Sequence, residues 1–120
     1  MLHAILRGQA IFYVVTGLWP LVSLATFEAV TGPKVDDWLV HMVGLLAATI
    51  GVTLWVAARQ RRPSGAVVLL GVLSAVSFAA IDLRYALAGR ISRIYLLDAA
   101  AEVALLLALA VAWRAHRRGA

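Results

Sequence analysis

The chain has 120 residues, of which 63% are hydrophobic and 14% are charged, and its mean hydropathy is +0.91. A soluble domain is about half apolar and about one quarter charged, so this composition predicts a membrane protein with one compact domain. It has no cysteine, which excludes disulfides and thiolate metal sites. Its net charge of +5 does not indicate nucleic-acid binding, because the arginines cluster at the ends of apolar stretches, where topology signals belong.

Four apolar stretches follow one another along the chain, and each is close to the roughly 20 residues that cross a bilayer as a helix. They predict membrane spans 1 to 4 over about residues 8–30, 38–58, 64–85 and 93–113. Pro20 is expected to kink span 1, and turns around Pro33, Pro63 and Gly89 separate the spans. The predicted fold is therefore all-α: a polytopic membrane protein with a four-transmembrane-helix bundle made of two helical hairpins.

Span 1 also imitates a cleavable signal peptide, because Arg7 precedes the apolar run and Ser23-Leu24-Ala25 offers small residues after it. Trp19 and Pro20 interrupt that run, so we expect a retained span. Trp19 itself is expected to pack in the core, with the lining of a cavity as the alternative.

The distribution of lysine and arginine predicts the orientation of the bundle. One side carries Arg7, Arg59, Arg61, Arg62, Arg114, Arg117 and Arg118, whereas the other carries Lys34, Arg84, Arg90 and Arg93. The more basic side is expected to be cytoplasmic, which places both termini in the cytoplasm.

Span 4 carries Tyr95, Asp98 and Glu102 on one helix face, because their spacing is i, i+3, i+7. At roughly 1.5 Å per residue, Glu102 lies about 12 Å deeper than Ile94, inside the hydrocarbon. Two carboxylates one turn apart repel each other when both are ionised, so this face predicts proton or cation binding. The alternative for Asp98 is a structural ion pair with an arginine of the loop between spans 3 and 4.

Span 2 carries a face of small residues that begins at His41 and continues through Gly44, Ala48, Gly51 and Trp55. Small residues let helices approach closely in lipid, so this face is expected to contact another helix. His41 would then point into the layer of the span 4 carboxylates, as a proton acceptor or a metal ligand. The alternative is an interfacial histidine that hydrogen-bonds a loop carbonyl.

All four spans bring candidate polar groups to one level near the outer face. The predicted ligand- or proton-binding residues are Glu28, His41, Asp82, Tyr85, Tyr95, Asp98 and Glu102. An ionisable side chain inside a span is a functional candidate by default, and Glu102 lies deepest. A bound metal stays open as an alternative, although the Glu-x-x-His pair of di-iron bundles is absent, and no cofactor is predicted. Lys34, in the first outer loop, is expected to be solvated together with Asp36 and Asp37.

Two segments of the chain are distinctive. They are Thr31-Gly32-Pro33-Lys34-Val35-Asp36-Asp37-Trp38-Leu39-Val40, and Ile81-Asp82 through Ile94-Tyr95-Leu96-Leu97-Asp98 to Glu102. The chain resembles, through both, a group of small uncharacterised bacterial four-span membrane proteins, which implies bacterial origin and the inner (plasma) membrane but no activity. A looser likeness to the DoxX-like membrane proteins runs through Val43-Gly44 and the basic turn after span 2. That family often has a Glu where this chain has Ala47.

Three classes of function remain open. The first is an inner-membrane protein, partnered by the lipid bilayer and by a second copy, that binds or transports a proton, cation or lipophilic small molecule at the acidic layer. The second is a structural or accessory subunit without a ligand, and the third is an intramembrane enzyme that uses Glu102 or Asp98 on a lipid-like substrate. A cavity that touches both Asp98 and Glu102 favours binding or catalysis. Acids that are satisfied by Arg and Tyr, with no cavity, favour the accessory role.

Overall fold

The structure is a computed structural model that describes residues 1–118, and within that range it is all-helical. The helices are α1 (Leu2–Val22), α2 (Leu24–Thr31), α3 (Asp37–Ala58), α4 (Gly65–Leu87) and α5 (Ile94–Arg118). Four of them, α1, α3, α4 and α5, are long and apolar enough to cross a membrane. The predicted fold class is therefore confirmed.

The region predicted as span 1 forms two helices that meet at Ser23. Pro20 has no backbone N–H, so the turn before Ser23 lacks one helical hydrogen bond. Ser23 adopts an extended backbone (φ −151°, ψ 92°), and its Oγ accepts a hydrogen bond from the Thr26 N–H at 3.3 Å, which starts α2. The helix also begins earlier than expected, because Leu2 and Leu6 continue its buried face.

Small residues allow α1 and α3 to pack with their backbones in contact. A β-carbon added to Gly17 would lie 2.5 Å from the Gly44 carbonyl oxygen, and one added to Gly51 would lie 2.8 Å from the Ala10 carbonyl oxygen. Real β-carbons do not approach a backbone so closely, so only glycine permits this crossing. The predicted contact face of span 2, with Gly44, Ala48 and Gly51, is thus confirmed.

The start of α1, the end of α5 and the α3–α4 turn lie at one end of the bundle, which we call the terminal end. There His3 Nε2 lies 2.9 Å from the Gln60 carbonyl oxygen, and the rings of His3 and His116 are 6.1 Å apart. The opposite end, which we call the loop end, contains α2 and the loops at residues 32–36 and 88–93.

The two halves of the bundle are packed differently. The half next to the terminal end holds a closed apolar core, built mainly from Leu2, Leu6, Ala10, Leu54, Val68, Leu109 and Ala112. The half next to the loop end contains a cavity, and Tyr13 belongs to both the core and the cavity wall. The carboxyl groups of Asp82, Asp98 and Glu102 therefore lie beside open space rather than inside a packed interior.

Candidate functional site

The cavity in the loop-end half has a volume of about 580 Å³ and is bounded by all five described helices. Small-molecule pockets typically have volumes of roughly 300–1,000 Å³ and mostly apolar walls with a few polar groups. The walls here are largely apolar and include the aromatic rings of Phe12, Trp19, Phe27, Phe78 and Tyr95. Trp19 therefore lines the cavity, which was the alternative to core packing.

One polar network extends from the cavity wall into the core and connects α5, α1 and α4. The Tyr13 hydroxyl donates a hydrogen bond of 2.7 Å to Glu102 Oε2. Gln9 Nε2 donates to the Tyr13 hydroxyl oxygen at 3.2 Å and to the Gly71 carbonyl oxygen at 3.0 Å. Glu102 is only 1% exposed and Gln9 is 0% exposed, so these hydrogen bonds hold Glu102 in the bundle interior.

A second polar group consists of Asp82 on α4 and Asp98 on α5, whose carboxyl groups lie within hydrogen-bonding reach of each other. Asp82 is 6% exposed, and its Oδ2 atom has no hydrogen-bond partner. A buried carboxylate oxygen without a donor is costly, and two carboxylates cannot hydrogen-bond each other without a proton. The pair therefore requires either a shared proton or an external hydrogen-bond donor.

Lys34 is half-buried in the cavity wall, so the prediction that it is solvated is wrong, whereas the two aspartates that follow in its loop are exposed. Its Nζ donates to the carbonyl oxygens of Gly32 (2.7 Å) and Thr31 (3.1 Å), and to the Thr31 hydroxyl (3.2 Å). It also lies 5.6 Å from the Phe27 ring centroid and 5.2 Å from that of Tyr95. Carbonyls at a helix C-terminus and aromatic faces both attract a cation, which explains why the ammonium turns inward.

No arginine lines the cavity within residues 1–118, and Lys34 is the single basic residue in its described wall. Arg84, Arg90 and Arg93, the loop arginines considered as partners for Asp98, are exposed. Lys34 is therefore the single described cation near the three cavity carboxyl groups, and its ammonium is already bound to carbonyl oxygens.

Four of the predicted site residues line the cavity, namely Asp82, Tyr95, Asp98 and Glu102. Three do not, namely Glu28, His41 and Tyr85, which are half-buried outside its lining, and their part in a site stays a prediction. The Tyr85 ring instead lies 5.7 Å from the Arg84 guanidinium carbon. In the described part of the chain, no group of three or more His, Asp or Glu residues could hold a metal ion.

Sequence reasoning missed Gln9, Tyr13 and Lys34. A signal was present for the first two, because they are polar side chains within an apolar stretch and their i, i+4 spacing puts them on one face. Lys34 offered no comparable signal, since a loop lysine is usually solvated.

The fold and the site together define a helical bundle, with four helices able to cross a membrane, that contains an apolar cavity with carboxyl groups in its wall. No protein-family profile, curated protein sequence or solved structure matches the chain. The cavity is thus the observation from which a function can be inferred.

Proposed function

We propose that the protein binds a lipophilic small molecule in this cavity, next to the carboxyl groups of Asp82, Asp98 and Glu102. The observation that carries the proposal is an apolar cavity of ligand size whose wall includes all three carboxyl groups. A purely structural role fits the hydrogen bond between Tyr13 and Glu102. It does not account for the open volume or for the unpartnered oxygen of Asp82.

The rim of the cavity supports access from the bilayer. Several of its apolar residues are themselves exposed, namely Val30, Leu39, Val43, Ile81 and Leu97. In a membrane, exposed apolar side chains of spanning helices contact lipid tails. A lipophilic ligand could therefore pass from the hydrocarbon into the cavity without crossing a polar barrier.

The close packing of the terminal-end half supports binding of a ligand rather than its transport through the bundle. Leu6, Leu54 and Leu109 are each 0% exposed and close the core beyond Gln9. Close-packed apolar side chains leave no room for water or ions. Transport would therefore require this half to open.

Photolabelling tests the binding proposal. Trifluoromethyl phenyl diazirine, a small neutral lipophilic probe, is expected to label cavity residues saturably in the protein reconstituted in nanodiscs. Ala101, in the cavity wall, and Ala100, an exposed neighbour on α5, form a matched pair. Ala101→Trp is expected to reduce cavity labelling by about tenfold because the indole occupies the space, whereas Ala100→Trp leaves it unchanged. Labelling confined to the lipid-facing surface, in the wild-type protein as in both variants, would contradict the proposal.

A second candidate is an intramembrane enzyme, which a cavity that touches both Asp98 and Glu102 also fits. A carboxyl pair beside a Tyr–Glu hydrogen bond could donate and accept protons on a bound lipid-like substrate. Incubation of the reconstituted protein with a bacterial lipid extract, followed by mass spectrometry, tests this. A lipid whose mass or isomer changes only with active protein supports catalysis, and an unchanged extract favours binding alone.

We further propose the bacterial inner membrane as the location, with both termini in the cytoplasm. The contact of His3 with Gln60 and His116 supports this orientation, because it places the more basic clusters at one end of the bundle. A reporter that is active only in the cytoplasm is expected to be active when fused after Ala120. Activity of a periplasm-specific reporter at that position would reverse the orientation.

A further inference from the structure

We propose that the ligand of this cavity is a lipophilic amine whose protonated nitrogen binds beside the paired carboxyl groups of Asp82 and Asp98. This inference rests on the binding function proposed above and adds the chemical class of the ligand. It requires three properties of the site: a missing donor, an excess of negative charge and an apolar wall for the body of the ligand.

The missing donor is the strongest of these observations. Asp82 is more than nine-tenths buried, lines the cavity, and leaves Oδ2 without a hydrogen-bond partner. Nearly all buried polar groups in proteins have a partner. Asp82 Oδ2 and Gln9 Oε1 both lack one, and of these two residues only Asp82 lines the cavity, where a bound ligand can supply the donor. Because the Asp82 oxygen has almost no exposed surface, the Asp82 side chain must rotate toward the cavity before a ligand N–H group can donate to it.

The charge of the cavity favours a cation. Its wall carries the three carboxyl groups of Asp82, Asp98 and Glu102, and Lys34 is the single basic group among the described lining residues. The Lys34 ammonium is already held by carbonyl oxygens and two aromatic rings. A ligand cation would thus gain attraction from an acidic cluster that the protein leaves without a cation of its own.

The walls select an amine with an apolar body. Phe12 and Phe78 line the cavity, and the faces of aromatic rings attract ammonium groups as well as alkyl and aryl chains. A quaternary ammonium carries the same charge but has no N–H, so it cannot satisfy Asp82 Oδ2. A protonated tertiary amine satisfies both the charge and the orphaned acceptor, which makes hydrogen-bond donation the test of this inference.

A shared proton between Asp82 and Asp98 is the competing explanation. It would also supply the missing donor, and it would leave the pair with one negative charge and no need for an N–H ligand. In that case the remaining negative charge would attract a protonated amine and a quaternary ammonium alike, and the cavity should not discriminate between them.

Competition against the diazirine probe separates these explanations. Dimethylbenzylamine carries a protonated tertiary nitrogen, benzyltrimethylammonium is its quaternary analogue, and isobutylbenzene is its neutral isostere. We expect dimethylbenzylamine to displace the probe from the wild-type cavity at concentrations at least tenfold lower than either of the other two. Asp82→Asn is expected to abolish this preference while keeping the labelling itself. Asp36→Asn, which removes an exposed loop carboxylate that makes no capping hydrogen bond, is the matched control and should keep the preference.

The outcomes distinguish the two proposals. Equal displacement by all three compounds would overturn the amine inference and leave the cavity as a site for neutral lipophilic molecules. Displacement by the quaternary compound at concentrations as low as those of the amine would also overturn it, because charge alone would then suffice. A cavity that is never labelled would remove the proposed function together with the inference. If Asp82→Asn does not fold, the wild-type comparison and Asp98→Asn decide the same question.

Discussion

Replacing Glu102 with glutamine is expected to leave folding and membrane insertion intact and to weaken amine binding in the cavity strongly. Glutamine has nearly the same shape, and its amide oxygen can accept the hydrogen bond that Tyr13 donates to Glu102 Oε2. The change removes one of the three carboxyl groups from a poorly solvated site. We expect the affinity for dimethylbenzylamine to fall by about ten- to one-hundredfold, which corresponds to roughly 1.4–2.7 kcal/mol.

Glu102→Leu separates the charge of this residue from its hydrogen bond. Leucine removes the acceptor as well, so the buried Tyr13 hydroxyl loses its partner and stability is expected to fall by about 1–3 kcal/mol. Thermal unfolding followed by circular dichroism measures the stability, and probe competition measures the binding. If Glu102→Gln binds the amine as well as the wild type does, the carboxylate has only a structural role, and the accessory class of function gains support.

The fold class could be predicted from sequence because it depends on quantities that a sequence contains directly. Four apolar stretches of spanning length, separated by Gly, Pro and Arg, leave a helical bundle as the structure that satisfies all backbone polar groups in lipid. The break at Ser23 was not predicted, because hydropathy continues across it from Val22 to Leu24. Two local structures compete at Ser23: a continuous helix, and a new helix that the serine side chain caps. The cap is favoured because Pro20 weakens the preceding turn.

The site was predicted less completely because height along a helix can be read from sequence, whereas the direction of a helix face cannot. The rise per residue put Glu102 deep in the bundle, where the structure has it. Glu28 lies on α2, whose rotation is independent of α1 after the break at Ser23. His41 lies one turn before Gly44, on the side of α3 that packs on α1. The sequence predicts heights for both residues, but their directions follow from packing contacts between distant residues.

The packing of α1 on α3 gives the largest expected effect on stability, and two glycines of α1 provide a matched comparison. A β-carbon on Gly17 would meet the Gly44 carbonyl oxygen at 2.5 Å and the Ala48 backbone nitrogen at 2.9 Å, whereas one on Gly8 would meet nothing within 4 Å. Gly17→Ala is therefore expected to destabilise the protein by at least about 2 kcal/mol, because two backbones must move apart. Gly8→Ala is expected to stabilise it by roughly 0.5–1 kcal/mol, because alanine favours the helix without a clash.

The double variant Gly17→Ala with Gly44→Ala sharpens this prediction. Both added methyl groups would oppose the same crossing, so the separation that the first forces on the helices accommodates part of the second. The two changes are expected to be non-additive, with a combined loss smaller than the sum of the single losses by about 0.5–3 kcal/mol. Because both glycines line the cavity, Gly17→Ala should also change which residues the diazirine labels, whereas Gly8→Ala should not. Equal stability of Gly17→Ala and Gly8→Ala, measured by thermal unfolding in the same nanodiscs, would show that the two backbones do not meet at this crossing.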